Sequence, residues 1–214
     1  VHEAFGWQHP EYAHMPLTIG KDGKKLSKRH GDTAILDYKK KGYLPEAMLN
    51  FLVLLGWNPG EGSTDEIFTK TDLEKKFSID RVGKAPAVFD LDRLNWMNGV
   101  YIRNLSVKEL TARIINFDSK FAKINKEFLE KVVKVEQSRL KTLAEFAEIS
   151  QFYFNLLKYD PNTLIFKKSS LETTRRGLES SLGVLKETKW SRIENFEEIL
   201  AKIVTDNELN NADV

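Results

Sequence analysis

At 214 residues, 41% of them hydrophobic, the chain is long enough for one large or two small domains with a sizeable core. Thirty-three Lys and Arg against 31 Asp and Glu give a net charge of +2, shared almost evenly between the halves on either side of residue 105. Bulk charge therefore does not announce a nucleic-acid binder, and any RNA site must come from local patches. The absence of cysteine excludes a disulfide framework and thiolate metal sites and fits a reducing compartment; no apolar run approaches the roughly 18–20 residues of a membrane span, and the N-terminus lacks a signal pattern.

Three of the four histidines, His2, His9 and His14, fall in the first 14 residues, but their spacing matches no paired-ligand motif, so no metal site is expected. His9-Pro10-Glu11 reads as a turn, and Met15-Pro16-Leu17-Thr18-Ile19 as a short extended segment. It leads into five cationic side chains within nine residues, Lys21, Lys24, Lys25, Lys28 and Arg29, punctuated by Gly20, Gly23 and Gly31. Asp22-Gly23 is a type I′ turn signal, so the stretch predicts a short hairpin or mobile loop of dense positive charge. Such a loop suits a polyphosphate; from charge alone, however, a solvated basic turn is the favoured reading, because charge runs are usually solvated faces.

Asp32 or Thr33 is a candidate N-cap for a helix over 34–41, stopped by Gly42. Pro45 opens the next helix, where Leu44, Met48, Phe51, Leu52 and Leu55 recur at helical spacing, Val53 and Leu54 add a second apolar side, and Gly56 is the stop; deep burial is expected. Residues 58–63 read as loop. Thr71-Asp72-Leu73-Glu74 has the form of a capping box, Phe77-Ser78-Ile79 of a short strand, and 82–86 is irregular. Asp90 can cap a helix carrying Leu91, Leu94 and Met97, with Trp96 packed between this region and the next as core rather than as a base-stacking platform.

From Ser106 helical periodicity dominates. Ser106-Val107-Lys108-Glu109 is a second capping-box pattern. Apolar stripes follow at Leu110, Ile114 and Phe117; at Phe128, Val132, Val135 and Leu140; and at Leu143, Phe146, Ala147, Ser150, Phe154 and Leu157, this last as one long helix ended before Pro161. Leu171, Leu178, Leu182 and Leu185 mark a fourth helix, weakened by Gly177 and Gly183, and Ile193, Phe196, Ile199, Leu200 and Ile203 a fifth. These lengths with short connections predict a helical bundle. Lys167, Lys168 and, more strongly, Arg139, Lys141, Arg175 and Arg176 are candidate RNA phosphate contacts, with solvated surface charge as the alternative.

Residue order adds what charge does not. Lys25-Leu26-Ser27-Lys28-Arg29 resembles the KMSKS loop of class I aminoacyl-tRNA synthetases. Together with Gly42-Tyr43-Leu44-Pro45-Glu46-Ala47-Met48-Leu49-Asn50-Phe51-Leu52, Leu55-Gly56-Trp57 and Phe89-Asp90-Leu91-Asp92-Arg93-Leu94-Asn95-Trp96-Met97-Asn98, it resembles bacterial-type glutamyl-tRNA synthetase, specifically over about 5–105 and more loosely through 137–145. Leu26 and Arg29 replace the methionine and final serine of the motif; Arg29 keeps it basic.

The resemblance implies a mainly α fold: 1–19 as the tail of a catalytic core, 20–105 as the KMSKS-type loop and stem-contact domain with a few short strands, and 106–214 as the start of a helical anticodon-binding half, cut short at its C-terminus. It implies ATP binding by Lys25, Leu26, Ser27, Lys28 and Arg29, with Lys28 the catalytic contact to the phosphates. It further implies glutamate, ATP with Mg2+ and tRNA-Glu as substrates, and a cytoplasmic, monomeric parent enzyme. The chain starts at Val1 and ends at 210–214 without a closing element, which reads as a piece of a longer protein. Because the His-x-Gly-His type motif and the Rossmann core of the class are not seen, the chain alone is expected not to activate glutamate. Three alternatives stand beside this reading. Glutaminyl-tRNA synthetase has a β-barrel reading end that the helical periodicity disfavours. The short synthetase-like enzyme that glutamylates a modified tRNA base resembles only the catalytic half. A non-enzymatic helical RNA- or protein-interaction module would need neither ATP nor tRNA.

Overall fold

The computed structural model describes all residues except 11, 28–33, 61, 156–157, 168, 189–195 and 210–214. The fold is mainly helical, as expected, with one two-stranded parallel sheet among the described residues. The chain divides into two compact units, Val1–Asn155 and Leu156–Val214.

In the first unit, β1 (Thr18–Ile19) pairs in parallel with β2 (Ala87–Val88), with Thr18 opposite Ala87 and Ile19 opposite Val88. Between them in sequence lie α1 (Ile35–Lys40) and α2 (Pro45–Leu54). Ala34 stands at the N-cap of α1 without a side-chain cap; Asp32 and Thr33, the expected caps, lie outside the described residues. Pro45 is in the first turn of α2, where its missing N–H costs nothing. The buried face of α2 is Ala47, Met48, Asn50 and Phe51. Leu52 was expected in the core but is 37% exposed, because Asn50 takes the inward position to accept hydrogen bonds from the Phe68 amide (2.7 Å) and the Tyr101 hydroxyl (2.6 Å).

Next comes α3 (Lys70–Lys76), which opens two residues before the expected box: Thr69 is the N-cap and Asp72 closes the reciprocal bond. Phe68 before the cap and Leu73 in the first turn pack in one cluster with Trp57, a hydrophobic staple that selects Thr69 over Thr71. The expected strand at Phe77–Ile79 is absent; Ile79–Arg81 is a 3-10 turn, and Phe77 and Ile79 are exposed, with no neighbouring edge to pair. Asp90 caps α4 (Leu91–Asn104), its carboxylate accepting from the Asp92 and Arg93 amides. The inward face of α4 is Leu94, Met97, Asn98 and Ile102. Leu91 and Trp96, both expected to pack, are 45% and 46% exposed: Leu91 is the first residue of the helix, and Trp96 lies on the side opposite its buried face.

Helices α2 and α4 wall two adjoining clusters. Met48, Phe51, Leu94 and Met97 pack with Tyr38, and Leu44, Ala47 and Ile102 pack with the helices that follow. Those are α5 (Val107–Phe117), α6 (Lys126–Glu136), α7 (Glu145–Ile149) and α8 (Gln151–Phe154). Ser106 caps α5, but only half of the expected box forms: Glu109 turns to Arg113 instead of the cap amide. In α6 the buried face is Leu129, Val132, Val133 and Glu136; of the expected stripe Val132 and, beyond the helix, Leu140 are buried, while Phe128 and Val135 are exposed. The long third helix is broken at Ser150, whose hydroxyl bonds the Phe146 carbonyl, giving two short helices; Leu157 lies outside the described residues.

Two connections that the sequence did not advertise lock this unit. The Arg113 guanidinium makes a bidentate pair with Glu46 (2.8 and 3.0 Å), tying α5 to the start of α2. Residues 137–145 form a strap. Gln137 donates to the Ile102 and Leu105 carbonyls at the C-terminal end of α4; the Asn98 side chain accepts from the Leu44 amide (2.8 Å) and donates to the Lys141 carbonyl; and the Leu143 amide donates to the Gly42 carbonyl (3.0 Å). Arg113 holds the Glu46 carboxyl below the ordinary carboxylate range, chiefly through these hydrogen bonds and against the effect of burial. A lowered folded-state value means stability that is fully present above the ordinary glutamate pKa of about 4.3 and is lost as pH falls through the lowered value. We expect Arg113→Met to cost about 1 kcal/mol at pH 7, because the pair is partly solvent-screened. In urea melts the gap to wild type should close below pH 4; an undiminished gap at pH 3 would mean that Arg113 acts through packing alone.

The second unit holds a 3-10 turn at Pro161–Leu164, α9 (Leu171–Glu187) and α10 (Phe196–Asp206). Helix α9 reverses the expectation. Its leucines Leu171, Leu178 and Leu182 are exposed, while Thr174, Gly177 and Ser181 are buried. Helix α9 packs with α10, and the Ser180 hydroxyl donates to the Asn207 side chain across that contact. In α10 Ile203 is buried; Ile193 lies outside the described residues.

Candidate functional site

The basic stretch is built on a hairpin. Ile19 and Lys25 form an antiparallel bridge, the Leu26 amide donates to the Thr18 carbonyl (3.0 Å), and the Gly20 amide donates to the Lys24 carbonyl (2.8 Å). The turn is not the expected type I′, which needs two residues at positive φ. The Gly23 amide donates to the Gly20 carbonyl, and within this turn only Gly23 (φ +74°) is left-handed, a three-residue loop whose αL position glycine fills without strain. Asp22 Oδ1 accepts from the Lys24 amide and stiffens the same turn.

The hairpin is docked at its base. The Ala87 amide donates to Leu17 and the Phe89 amide to Ile19, so the strand carrying Thr18 runs into the segment that opens α4. Phe89 fixes that segment, packing edge-on against Phe51 (5.0 Å between ring centres) and tilted against Tyr38. At the tip, the Lys21 ammonium lies 2.6 Å from Asp92 and 3.0 Å from Asp90 at the first turn of α4. Hydrogen bonding to Asp92 and Asp90 raises the Lys21 pKa, and Lys21 in turn holds the Asp90 carboxyl low. Of the five cations, Lys21 is therefore a structural clasp, a role charge density alone did not reveal. Lys25 sits at the bridge, followed by Leu26 and Ser27, both half-buried. Lys28 and Arg29, the remaining members of the motif, lie outside the described residues.

The four candidate RNA contacts fall into two pairs, one in each unit. Arg139 donates to Glu136 (3.0 Å), a carboxylate only 1% exposed that also accepts from the Tyr153 hydroxyl (2.8 Å). Arg139 thus neutralises a buried charge while most of its side chain stays in solvent. Lys141 lies on the strap beside Gly99 of α4. In the second unit, Arg175 pairs with Glu179 one turn on (2.8 Å), and Arg176 donates to the Asn207 carbonyl beyond the C-terminal end of α10 (3.1 Å). Lys167 is described; Lys168 is not. Among the described residues no three His, Asp or Glu side chains come together as a metal site, and no helix is long and apolar enough to cross a membrane.

Residues 1–96 match the family described as tRNA synthetases class I (E and Q), catalytic domain, and residues 107–214 match the Anticodon binding domain family. The two matches place the chain across a catalytic-domain family and an anticodon-binding-domain family of the class I tRNA synthetases. Among curated relatives, the glutamate–tRNA ligase of Dehalococcoides mccartyi (strain 195) is 40% identical over 192 residues, which are 86% of this chain and 39% of that protein. The enzyme of Desulforamulus reducens is 44% identical over 161 residues (72% and 33%), and that of Clostridium botulinum 37% identical over 213 residues (99% and 43%). The chain belongs to the family of the glutamate–tRNA ligases. It spans between 33% and 43% of the length of these relatives. The fold agrees with a crystal structure of a glutamate tRNA ligase from Elizabethkingia meningosepticum in complex with its amino acid: the TM-score is 0.74 at 24% identity, covering 100% of this chain and 45% of that one.

Proposed function

We propose that this chain is the part of a cytoplasmic, monomeric glutamate–tRNA ligase that closes on ATP and reaches along tRNA-Glu. The parent enzyme joins glutamate to ATP, releasing pyrophosphate, and passes the glutamyl group from the adenylate to the terminal ribose of its tRNA. The division at residues 19/20 and 105/106 follows from this reading: 1–19 closes the catalytic core, 20–105 carries the phosphate loop and stem contacts, and 106–214 opens the anticodon-binding half. The observation that carries the reading is the hairpin itself. Lys25-Leu26-Ser27 leave a base pinned to β2 and clasped to α4 by Lys21.

Lys28 meets the phosphates of ATP, where negative charge grows on the departing pyrophosphate. A preset ammonium there stabilises the transition state more than the ground state. Lys25 and Arg29 add to the field, and Ser27 offers a hydroxyl to a phosphate oxygen or to the loop backbone. Mg2+ arrives with ATP and shields the same charge. Arg139, Lys141, Arg175 and Arg176 serve as phosphate contacts that position tRNA without reading its sequence.

The test is binding of the 214-residue chain to tRNA-Glu and to an unrelated tRNA over a range of salt. Tighter binding of tRNA-Glu at moderate salt is expected. Equal and steeply salt-dependent binding of both would reduce the interaction to phosphate attraction, and no binding at low salt would overturn the tRNA-recognition role given to this part of the enzyme.

A further inference from the structure

The outer face of α4 carries a cleft of about 210 Å3 lined by Asp92, Asn95, Trp96, Gly99, Arg103 and, from the strap, Lys141. The α4 residues recur at three- and four-residue steps and so form one stripe, beside the face that packs on α2. Gly99 is its floor. A Cβ there would lie 3.0 Å from Arg103 Nη1 and 3.2 Å from the Leu140 carbonyl, so the guanidinium rests in the space that glycine leaves against the helix. Trp96 is 46% exposed, an unusual position for the largest apolar side chain when the same helix has a buried face. Neither Arg103 nor Lys141 has an ion-pair partner for its side chain among the described residues, in a chain where most of the structurally important arginines are paired. Asp92, the one acid of the lining, is neutralised by Lys21. The Asn95 carbonyl oxygen is engaged by the Tyr43 hydroxyl, which leaves its NH2 as a donor at the cleft.

An exposed indole beside two cations without partners is the chemistry that holds a nucleotide: stacking for a base, charge for its phosphates. The size of the cleft limits what it takes. Sites that enclose a free small molecule run to about 300–1,000 Å3, so this one accommodates a single ring of a ligand held elsewhere as well. Resting on the tRNA-ligase reading above, we infer that this cleft captures one unstacked nucleotide of the bound tRNA, its base on Trp96 and its backbone phosphates on Arg103 and Lys141. An A-form stem keeps its bases stacked, so the captured nucleotide belongs to a loop, a bulge or a chain end.

The inference is tested with the 214-residue chain and fluorescently labelled tRNA-Glu, reading affinity against salt for wild type, Trp96→Ala, Trp96→Phe and Arg103→Ala/Lys141→Ala. Trp96→Ala should weaken binding about tenfold, a typical loss for one stacked base, with an unchanged salt slope, and Trp96→Phe should bind nearly as wild type. Arg103→Ala/Lys141→Ala should weaken binding and also lower the slope of log affinity against log salt by about one to two, the signature of lost phosphate contacts. A role confined to folding would move neither slope nor the Phe rescue. As a readout independent of the alanine variant, the fluorescence difference between wild type and Trp96→Phe should be quenched by saturating tRNA. Wild-type affinity and slope in every variant, with no quenching, would overturn the inference and remove Lys141 from the phosphate contacts, while leaving the rest of the ligase reading intact. Failure of the wild-type chain to bind tRNA-Glu would remove the recognition role and the inference together.

Discussion

Replacing Gly42 by alanine should destabilise the chain by about 4 kcal/mol, enough to consume much of the 5–15 kcal/mol typical of a folded domain. Two penalties coincide at this residue. Its φ is +82°, where an L side chain costs about 1–2 kcal/mol. In addition, a Cβ at Gly42 would lie 2.6 Å from the Ala144 amide nitrogen and 2.8 Å from that of Leu143, both backbone atoms that cannot rotate aside. Relief requires lifting the strap, with loss of the Leu143–Gly42 hydrogen bond and loosening of Leu143 and Phe146 in the largest cluster. Gly23→Ala is the internal control: its φ is +74°, but nothing lies within 4 Å of the added carbon, so a loss of about 1 kcal/mol is expected. Urea denaturation of the two variants separates the terms. Equal losses would mean that the close approach to 143–144 carries no energy.

In the intact enzyme Lys28→Ala should slow glutamyl-adenylate formation by about 2–4 kcal/mol, roughly 30- to 1,000-fold, while leaving the affinity for tRNA-Glu nearly unchanged. The difference between the two effects follows from where the charge is used. On the proposed reading Lys28 would meet a charge that grows during one chemical step, whereas tRNA would be held by many contacts spread along the rest of the chain. Glutamate-dependent exchange of pyrophosphate into ATP, with tRNA binding measured beside it, checks both halves. An unchanged exchange rate would remove Lys28 from its catalytic role. Lys21→Ala is a different kind of change, because it releases the clasp to Asp90 and Asp92 without removing a phosphate ligand.

Local signals were legible in the sequence wherever one residue sets one bond. Asp90 and Ser106 cap the helices they were expected to cap, Pro45 stands in the first turn of α2, and Gly42 ends the segment after α1. The helical character of the chain followed from the same periodicities. Phase was less legible, because α6 and α9 each offer two apolar or small-residue stripes. Leu129, Val133 and the paired Glu136 displaced the stripe through Phe128 and Val135, and Thr174, Gly177 and Ser181 displaced the leucines. Thr69 and Thr71 present equally good capping patterns, and only the Phe68–Leu73 packing chooses between them.

At the candidate site the charge cluster and its hairpin were readable, but the role of Lys21 was not, since its carboxylate partners are about seventy residues away. The exposure of Trp96 was missed because tryptophan content says nothing about which face of a helix it occupies. Pairing of Arg139 with Glu136 could have been anticipated from their three-residue spacing; that Glu136 is buried could not.

Helix α4 is gripped at both ends, by Lys21 on Asp90 and Asp92 at its start and by Gln137 on its final carbonyls. Fourteen residues at 1.5 Å each make it a rod of about 21 Å, and it acts as a ruler between the basic hairpin at its start and helices α5 to α8 beyond its end. Length is therefore not negotiable there. One inserted residue would turn everything beyond it by about 100° and advance it by 1.5 Å, taking both grips out of register at once. The same insertion in the exposed stretch at 62–65 would be absorbed by the loop. The distance between the hairpin and the helices that follow α4 is thus written into the residue count of one helix.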